Sequence, residues 1–356
     1  MITISLCMIV KNEELVLDNA LSSIQDIVDE IIIVDTGSTD KTKEIAEKFT
    51  DKIFDFEWCD DFSKARNYSF SKASCDYCMW LDADDILLPE DQDKLKQLKN
   101  ELDPSVSAVM MRYHTSFDKQ GNPTFTYYRE RLLRRKDNFK WAGFIHEAIS
   151  VSGKIEYSEI AIRHNKIGSS DPKRNLKIFE KKIAEGVDLN PREIFYYSRE
   201  LYYNKRYHDA ITEFRRFLNT KLGWKENCIS AYQFIAYCYD EIGNKEEAIK
   251  QLLFSFLIDN PRAEICCDLG KYFLELNAYN QAIYWYKLAT TCPRDDTNGS
   301  FVLLDCYNYI PYIQLCVCYY ALGDYQTANE YNELAGKCKS EDTSYLYNKK
   351  LLSKLI

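Results

Sequence analysis

The sequence predicts an α/β domain with a Rossmann-like, mostly parallel sheet over residues 1–170, followed by an all-α domain of helical repeats over residues 175–356. Three observations carry this expectation. Short apolar runs in the first half stop abruptly in carboxylate-rich stretches, the pattern after Asp171-Pro172-Lys173-Arg174-Asn175 is helical throughout, and one short motif recurs four times in that second half.

The first run, Ile2 to Val10, breaks at Lys11-Asn12-Glu13-Glu14, as a buried parallel strand does at a functional edge. A helical spacing follows through Leu15, Leu17, Ala20, Leu21 and Ile24. A second strand, Glu30 to Val34, then stops at Asp35-Thr36-Gly37-Ser38-Thr39-Asp40. Strand, helix, strand in so short a span is a βαβ unit. Further on, Met79-Trp80-Leu81 is another strand end, and it runs straight into Asp82-Ala83-Asp84-Asp85.

In open α/β sheets ligands sit beyond the carboxyl ends of the strands, so Asn12, Glu13, Asp35 and Asp82 to Asp85 should converge on one crevice. Carboxylates crowded there repel one another unless a hard cation such as Mg²⁺ or Mn²⁺ neutralises them, and such an ion also bridges to a substrate diphosphate. The competing reading makes Asp84 and Asp85 only a turn or a helix cap ahead of Pro89. Neither G-x-G-x-x-G nor G-x-x-x-x-G-K-[ST] occurs, so nucleotide phosphates would be held by metal and side chains.

Four blocks in order, Val10-Lys11-Asn12-Glu13, Asp35 to Thr42, Phe62-Ser63-Lys64-Ala65-Arg66-Asn67 and Leu81-Asp82-Ala83-Asp84-Asp85, resemble glycosyltransferase family 2, the inverting GT-A type. The resemblance covers roughly residues 1–170 and is nearest to bacterial enzymes that append tetratricopeptide-like repeats, the group that includes sublancin-type peptide glycosyltransferases. It implies a UDP-sugar donor whose base and ribose meet Val10, Asn12, Glu13 and Asp35. Arg66 would face the nucleotide, Asp82 and Ala83 would lie against it, and Asp82, Asp84 and His164 would hold Mn²⁺ or Mg²⁺. Family members usually carry a Glu-Asp or Asp pair after a glycine-bearing loop as general base. Here the matching stretch is Trp141-Ala142-Gly143-Phe144-Ile145-His146-Glu147, which implies Glu147 as the base, with His146 as its orienter or the alternative base.

Composition agrees with this division. A chain of 356 residues that is 46% apolar and 28% charged has length for two packed cores, and a net charge of −9 argues against a nucleic-acid partner. Five basic residues within Arg129 to Lys136 stand out against that charge and suit a diphosphate or an acidic acceptor, or else a solvated strand face. The chain opens on a strand and has no run of about eighteen apolar residues, so the expectation is a cytoplasmic protein without a spanning helix. Thirteen cysteines, including Cys75 and Cys78 in a C-x-x-C, show no disulfide framework and are expected to be free thiols.

In the second half, Tyr207-His208-Asp209-Ala210-Ile211, Lys245-Glu246-Glu247-Ala248-Ile249, Tyr279-Asn280-Gln281-Ala282-Ile283 and Tyr325-Gln326-Thr327-Ala328-Asn329 align, with alanines 38, 34 and 46 residues apart. The middle spacing is the tetratricopeptide period. Twelve residues before each alanine stands a small residue, Ser198, Ala236, Gly270 or Cys316, where two helices must cross closely. The longest linker is expected between Thr291 and Phe301. Such repeats stack into surfaces that hold extended peptides, and their tyrosines suit a peptide or protein acceptor or a homodimer partner, although helix packing accounts for most of them. The leading expectation is hexose or N-acetylhexosamine transfer to a peptide Ser, Thr or Cys. The alternatives are a glycan or lipid-linked acceptor, and a non-catalytic repeat scaffold.

Overall fold

The computed structural model describes every residue except 166, 168–170, 296, 298 and 300. The chain divides into two compact units, Met1–Ile178 and Phe179–Ile356. The first is the α/β domain and the second is helical.

The first unit runs β1 (Ile4–Val10), α1 (Leu17–Ser22), β2 (Glu30–Asp35), α2 (Thr42–Ala46), β3 (Ile53–Asp55), α3 (Phe62–Ser71), β4 (Tyr77–Trp80), β5 (Asp85–Ile86), α4 (Pro89–Glu101), β6 (Ala108–Phe117), β7 (Pro123–Arg134), a short hairpin of β8 (Trp141–Ala142) and β9 (Ala148–Ile149), β10 (Ile155–His164) and the start of α5 (Arg174–Ala184). Its main sheet has the order β3-β2-β1-β4-β7-β6-β10-β5. The pairings β2 with β3, β1 with β2, β1 with β4 and β6 with β10 are parallel. Those of β4 with β7, β6 with β7 and β5 with β10 are antiparallel. The sheet is thus a parallel half joined to a mixed half.

This topology explains why β1 reads as a continuous apolar run. It lies between β2 and β4 with both faces covered, and six of its seven residues are buried. One core joins Ile4, Leu6 and Met8 to Leu17, Leu21, Ile33, Met79 and Leu132. Asp84 and Asp85 do not cap α4. Asp85 is the first residue of β5, while α4 starts at Pro89 behind Leu88, whose side chain makes no cap bond. Proline preset for the first helical turn, with Glu90 and Asp91 behind it, starts the helix instead.

The run Arg129 to Lys136 does not form one basic surface, because the β6–β7 register shifts at Arg131, the strand ends at Arg134, and the members go to different partners. Arg131 is fully buried with its Nη1 2.9 Å from Asp85, Arg129 pairs with Glu130 at 2.9 Å, and Arg134 pairs with Asp137 at 2.9 Å. The thirteen cysteines are free.

The second unit holds helix pairs α6 (Pro191–Tyr203) with α7 (Tyr207–Asn219), α8 (Lys225–Glu241) with α9 (Lys245–Phe254), α10 (Ala263–Glu275) with α11 (Tyr279–Ala289), and α12 (Tyr309–Ala321) with α13 (Tyr325–Cys338), closed by α14 (Thr343–Leu352). Asn190 and Glu193 form a reciprocal cap on α6, with Pro191 in its first turn. Each repeated alanine, Ala210, Ala248, Ala282 and Ala328, is fully buried on the second helix of a pair. The small residues expected at the crossings are buried on the first helices, and the ring of Tyr286 fills the place of the missing Cβ at Gly270, 2.7 Å from where it would stand. Residues 296, 298 and 300 of the expected Thr291–Phe301 linker lie outside the described residues.

Two outcomes follow for stability. Arg131→Met takes the arginine from the buried Asp85 and should cost about 3–5 kcal/mol in urea unfolding. Gly270→Val drives two methyl groups into the buried Tyr286 ring and should cost about 1–3 kcal/mol; an unchanged midpoint in either case would contradict the packing described.

Candidate active site

The carboxyl ends of β1, β2 and β4 gather the expected residues at one edge. Asn12 sits just past β1 with φ +56°, and its Oδ1 accepts from the Thr39 backbone at 2.8 Å, so the loops after β1 and β2 are tied together. Asparagine tolerates this left-handed backbone better than most residues. The Asp35 carboxylate is buried and accepts from the backbone N–H groups of Gly37 and Ser38, both at 3.0 Å, which folds the turn after β2. Val10 is buried, and its carbonyl accepts from Thr36. The Glu13 carboxyl is pushed up to about 7, first by burial and then by the charges of Asp84, Asp82 and Asp40. Glu13 therefore faces the same acidic crevice.

The three aspartates after β4 separate into three roles. Asp85 has no exposed surface; besides Arg131, it accepts from Tyr113 Oη at 2.8 Å and from the Asp82 backbone N–H at 3.1 Å. Asp82 receives Arg66 Nη2 at 2.6 Å. Burial works against the charge of Asp82, yet Arg66 and Arg131 overcome it and hold the carboxyl down to about 2. Asp84 faces His164 Nδ1 at 3.3 Å.

His164 ends β10 in register with Asp85, so the β5–β10 pairing carries the imidazole to the aspartates. Asp84, Asp85 and His164 offer ligand atoms all within 4.8 Å of one another. Donating to the Asp84 and Asp85 carboxylates pushes the imidazole up to about 10 against its burial. A positive charge is thus drawn to this spot.

Glu147 lies in the loop between β8 and β9, where Gly143 and His146 both have positive φ. Its Oε1 accepts from Arg66 Nε at 2.6 Å. Arg66 is itself buried, 4.9 Å from the Trp80 ring centre and 4.8 Å from that of Trp141, so two indole faces embrace it. Burial disfavours its charge, but Asp82 and Glu147 more than compensate and push its pKa up. A cavity of about 270 Å³ lined by Phe70, Cys78, Leu133 and Phe139 lies at the opposite end of β4 and holds none of these carboxylates.

The geometry meets a matching sequence signal: residues 5–152 fit the family model described as Glycosyl transferase family 2. Residues 5–152 are a family 2 glycosyltransferase domain. The chain is 34% identical over 154 residues to a TPR repeat-containing protein of Synechococcus elongatus, covering 43% of this chain and 36% of that one. It is 27% identical over 232 residues to the SPbeta prophage-derived glycosyltransferase SunS of Bacillus subtilis, covering 61% and 53%. The chain thus spans between about a third and a half of the length of these curated relatives. Among solved structures, S. aureus TarS 1-349 is 13% identical with a TM-score of 0.36, covering 70% of this chain and 90% of that one.

Around the candidate site's side chains stand residues for which the sequence suggested no such place: Arg131, known only as a member of a basic run, Tyr113, Trp80 and Trp141. Trp80 and Trp141 meet edge to face at 5.0 Å, and Arg131 packs 3.7 Å from the Trp80 ring centre. Strand periodicity could not have marked Arg131, because the β6–β7 register shifts between Leu132 and Glu130 and residues 130–133 are all buried.

Because the folded-state pKa of His164 is raised, its pairing stabilises the fold fully below the ordinary value of 6.5 and is lost as pH rises through about 10. In EDTA, His164→Gln should therefore lower the melting temperature more at pH 6 than at pH 10. An equal loss at both would contradict the pairing.

Proposed function

We propose that the protein transfers a hexose or N-acetylhexosamine, with inversion, from a UDP-sugar to a Ser or Thr hydroxyl or a Cys thiol of a peptide or protein in the cytoplasm. The observation that carries this reading is the grouping of Asp84, Asp85 and His164 at the strand edge of a family 2 domain, beside a carboxylate, Glu147, on a separate loop. In this reading Val10, Asn12, Glu13 and Asp35 meet the base and ribose, with Asp82 and Ala83 beside the nucleotide. Asp84 and His164, each with about a fifth to a quarter of its side chain exposed, are the available ligands for Mn²⁺ or Mg²⁺, with Asp82 next to them. Carboxylate oxygens and an imidazole nitrogen suit either ion, and the proton that His164 attracts supports a site built for positive charge.

When bound, the ion would offset charge on the departing diphosphate. Glu147 takes the acceptor proton as the acceptor oxygen or sulfur bonds to the anomeric carbon and the bond to UDP breaks. His146 is the neighbouring candidate for orienting that carboxylate or for taking the proton itself. The helical repeats hold the peptide or protein acceptor, as stacked repeat surfaces commonly do. No helix among the described residues is long and apolar enough to cross a membrane.

Two variants separate the roles. Asp84→Ala should abolish Mn²⁺-dependent UDP binding, measured by calorimetry, together with transfer. Glu147→Gln should bind UDP normally and lose transfer; normal turnover by Glu147→Gln would remove the carboxylate from its role as base.

A further inference from the structure

The block Phe62-Ser63-Lys64-Ala65-Arg66-Asn67 lies on α3, and three of its members reach the same partner segment, 141–147, rather than the loops after β1 and β2. The Phe62 backbone N–H donates to the Phe144 carbonyl at 2.9 Å. Arg66 Nε donates to Glu147 at 2.6 Å. Asn67 closes a two-way clamp on Trp141, its Nδ2 donating to the Trp141 carbonyl and its Oδ1 accepting from the Trp141 N–H, both at 2.9 Å. Phe62 and Arg66, four residues apart, are neighbours along α3, and Asn67 follows directly.

The segment they hold needs holding. Gly143 has φ +93° and His146 φ +51°, so the loop that carries Glu147 turns through two left-handed residues between strands of only two residues each. A base displaced by about 1 Å from its acceptor can lose about 100-fold in rate. The guanidinium that fixes Glu147 is in turn fixed, since Asp82 takes its Nη2 and the rings of Trp80 and Trp141 flank it.

We infer that Arg66 and Asn67 are positioning residues for the Glu147 loop, and that Arg66, instead of reading the nucleotide, ties the donor-side carboxylate Asp82 to the acceptor-side carboxylate Glu147. The inference rests on the sugar-transfer reading for its catalytic consequence, but the holding of the loop stands independently of it. A resident cation at this point also keeps Glu147 aimed before the acceptor arrives.

The test uses Arg66→Gln and the charge-neutral Asn67→Ala in the full chain, each compared with wild type in three measurements: UDP affinity with Mn²⁺, kcat for transfer, and amide hydrogen exchange of residues 143–149. The expected result is unchanged UDP affinity, kcat lower by about 100-fold, faster exchange confined to that loop, and partial recovery of Arg66→Gln by added guanidinium. A fall in UDP affinity that matches the fall in kcat would make Arg66 a nucleotide contact and overturn the inference. Unchanged exchange in the loop for both variants would also overturn it. Wild type that neither binds UDP nor releases it from any UDP-sugar would defeat the transfer reading, while the exchange measurement would still decide whether α3 holds the loop.

Discussion

Three carboxylates within four residues can share one strand end only if each meets a cation, and the buried pair of Arg131 with Asp85 is the one on which the others depend. Neither side chain has exposed surface. Taking both from water costs several kcal/mol per ion, which is recovered only with good geometry and further hydrogen bonds. Tyr113 and the Asp82 backbone supply those bonds to Asp85. The same bonds fold the turn, so the pair also sets the directions in which Asp82 and Asp84 point.

From that anchor the charges divide. Asp82 goes to Arg66, which two tryptophans hold in place, and Asp84 goes to His164. An arginine keeps its proton under all ordinary conditions, whereas an imidazole can give its proton up to a metal ion. The arginine pairs are therefore fixed charges, and His164 is the partner at this edge that can change its charge. The candidate site and the sheet share this edge, because the pairing that brings His164 to the aspartates is that of β5 with β10.

Much of this was legible from sequence because strand ends carry their own punctuation. The breaks at Asn12, Asp35 and Asp82 follow apolar runs closely enough to locate the crevice, and the alanine spacing marked the helix pairs. What could not be read was which cation answers which carboxylate, since that depends on contacts between residues as far apart as Arg66 and Glu147. Arg131 looked like one member of a basic run, but at the register shift of β7 against β6 it is buried together with Glu130 and Leu132. Asp85 suited a helix cap by its position before Pro89, but the short pairing of β5 with β10 made it a strand residue. Trp141 lies in a two-residue strand, too short for any periodic signal, and its place comes from packing against Trp80 and Arg66 and from the Asn67 clamp on its backbone.

The most direct measurement is UDP release by the purified chain offered a panel of UDP-sugars, with Mn²⁺ and again with EDTA, in the presence of peptide acceptors carrying Ser, Thr or Cys. Release with one sugar, abolished by EDTA and accompanied by a hexose or N-acetylhexosamine mass added to the acceptor, is the predicted result. Absence of release with every sugar, together with no UDP binding in Mn²⁺, would contradict it and leave the chain a repeat scaffold on a silent family 2 domain.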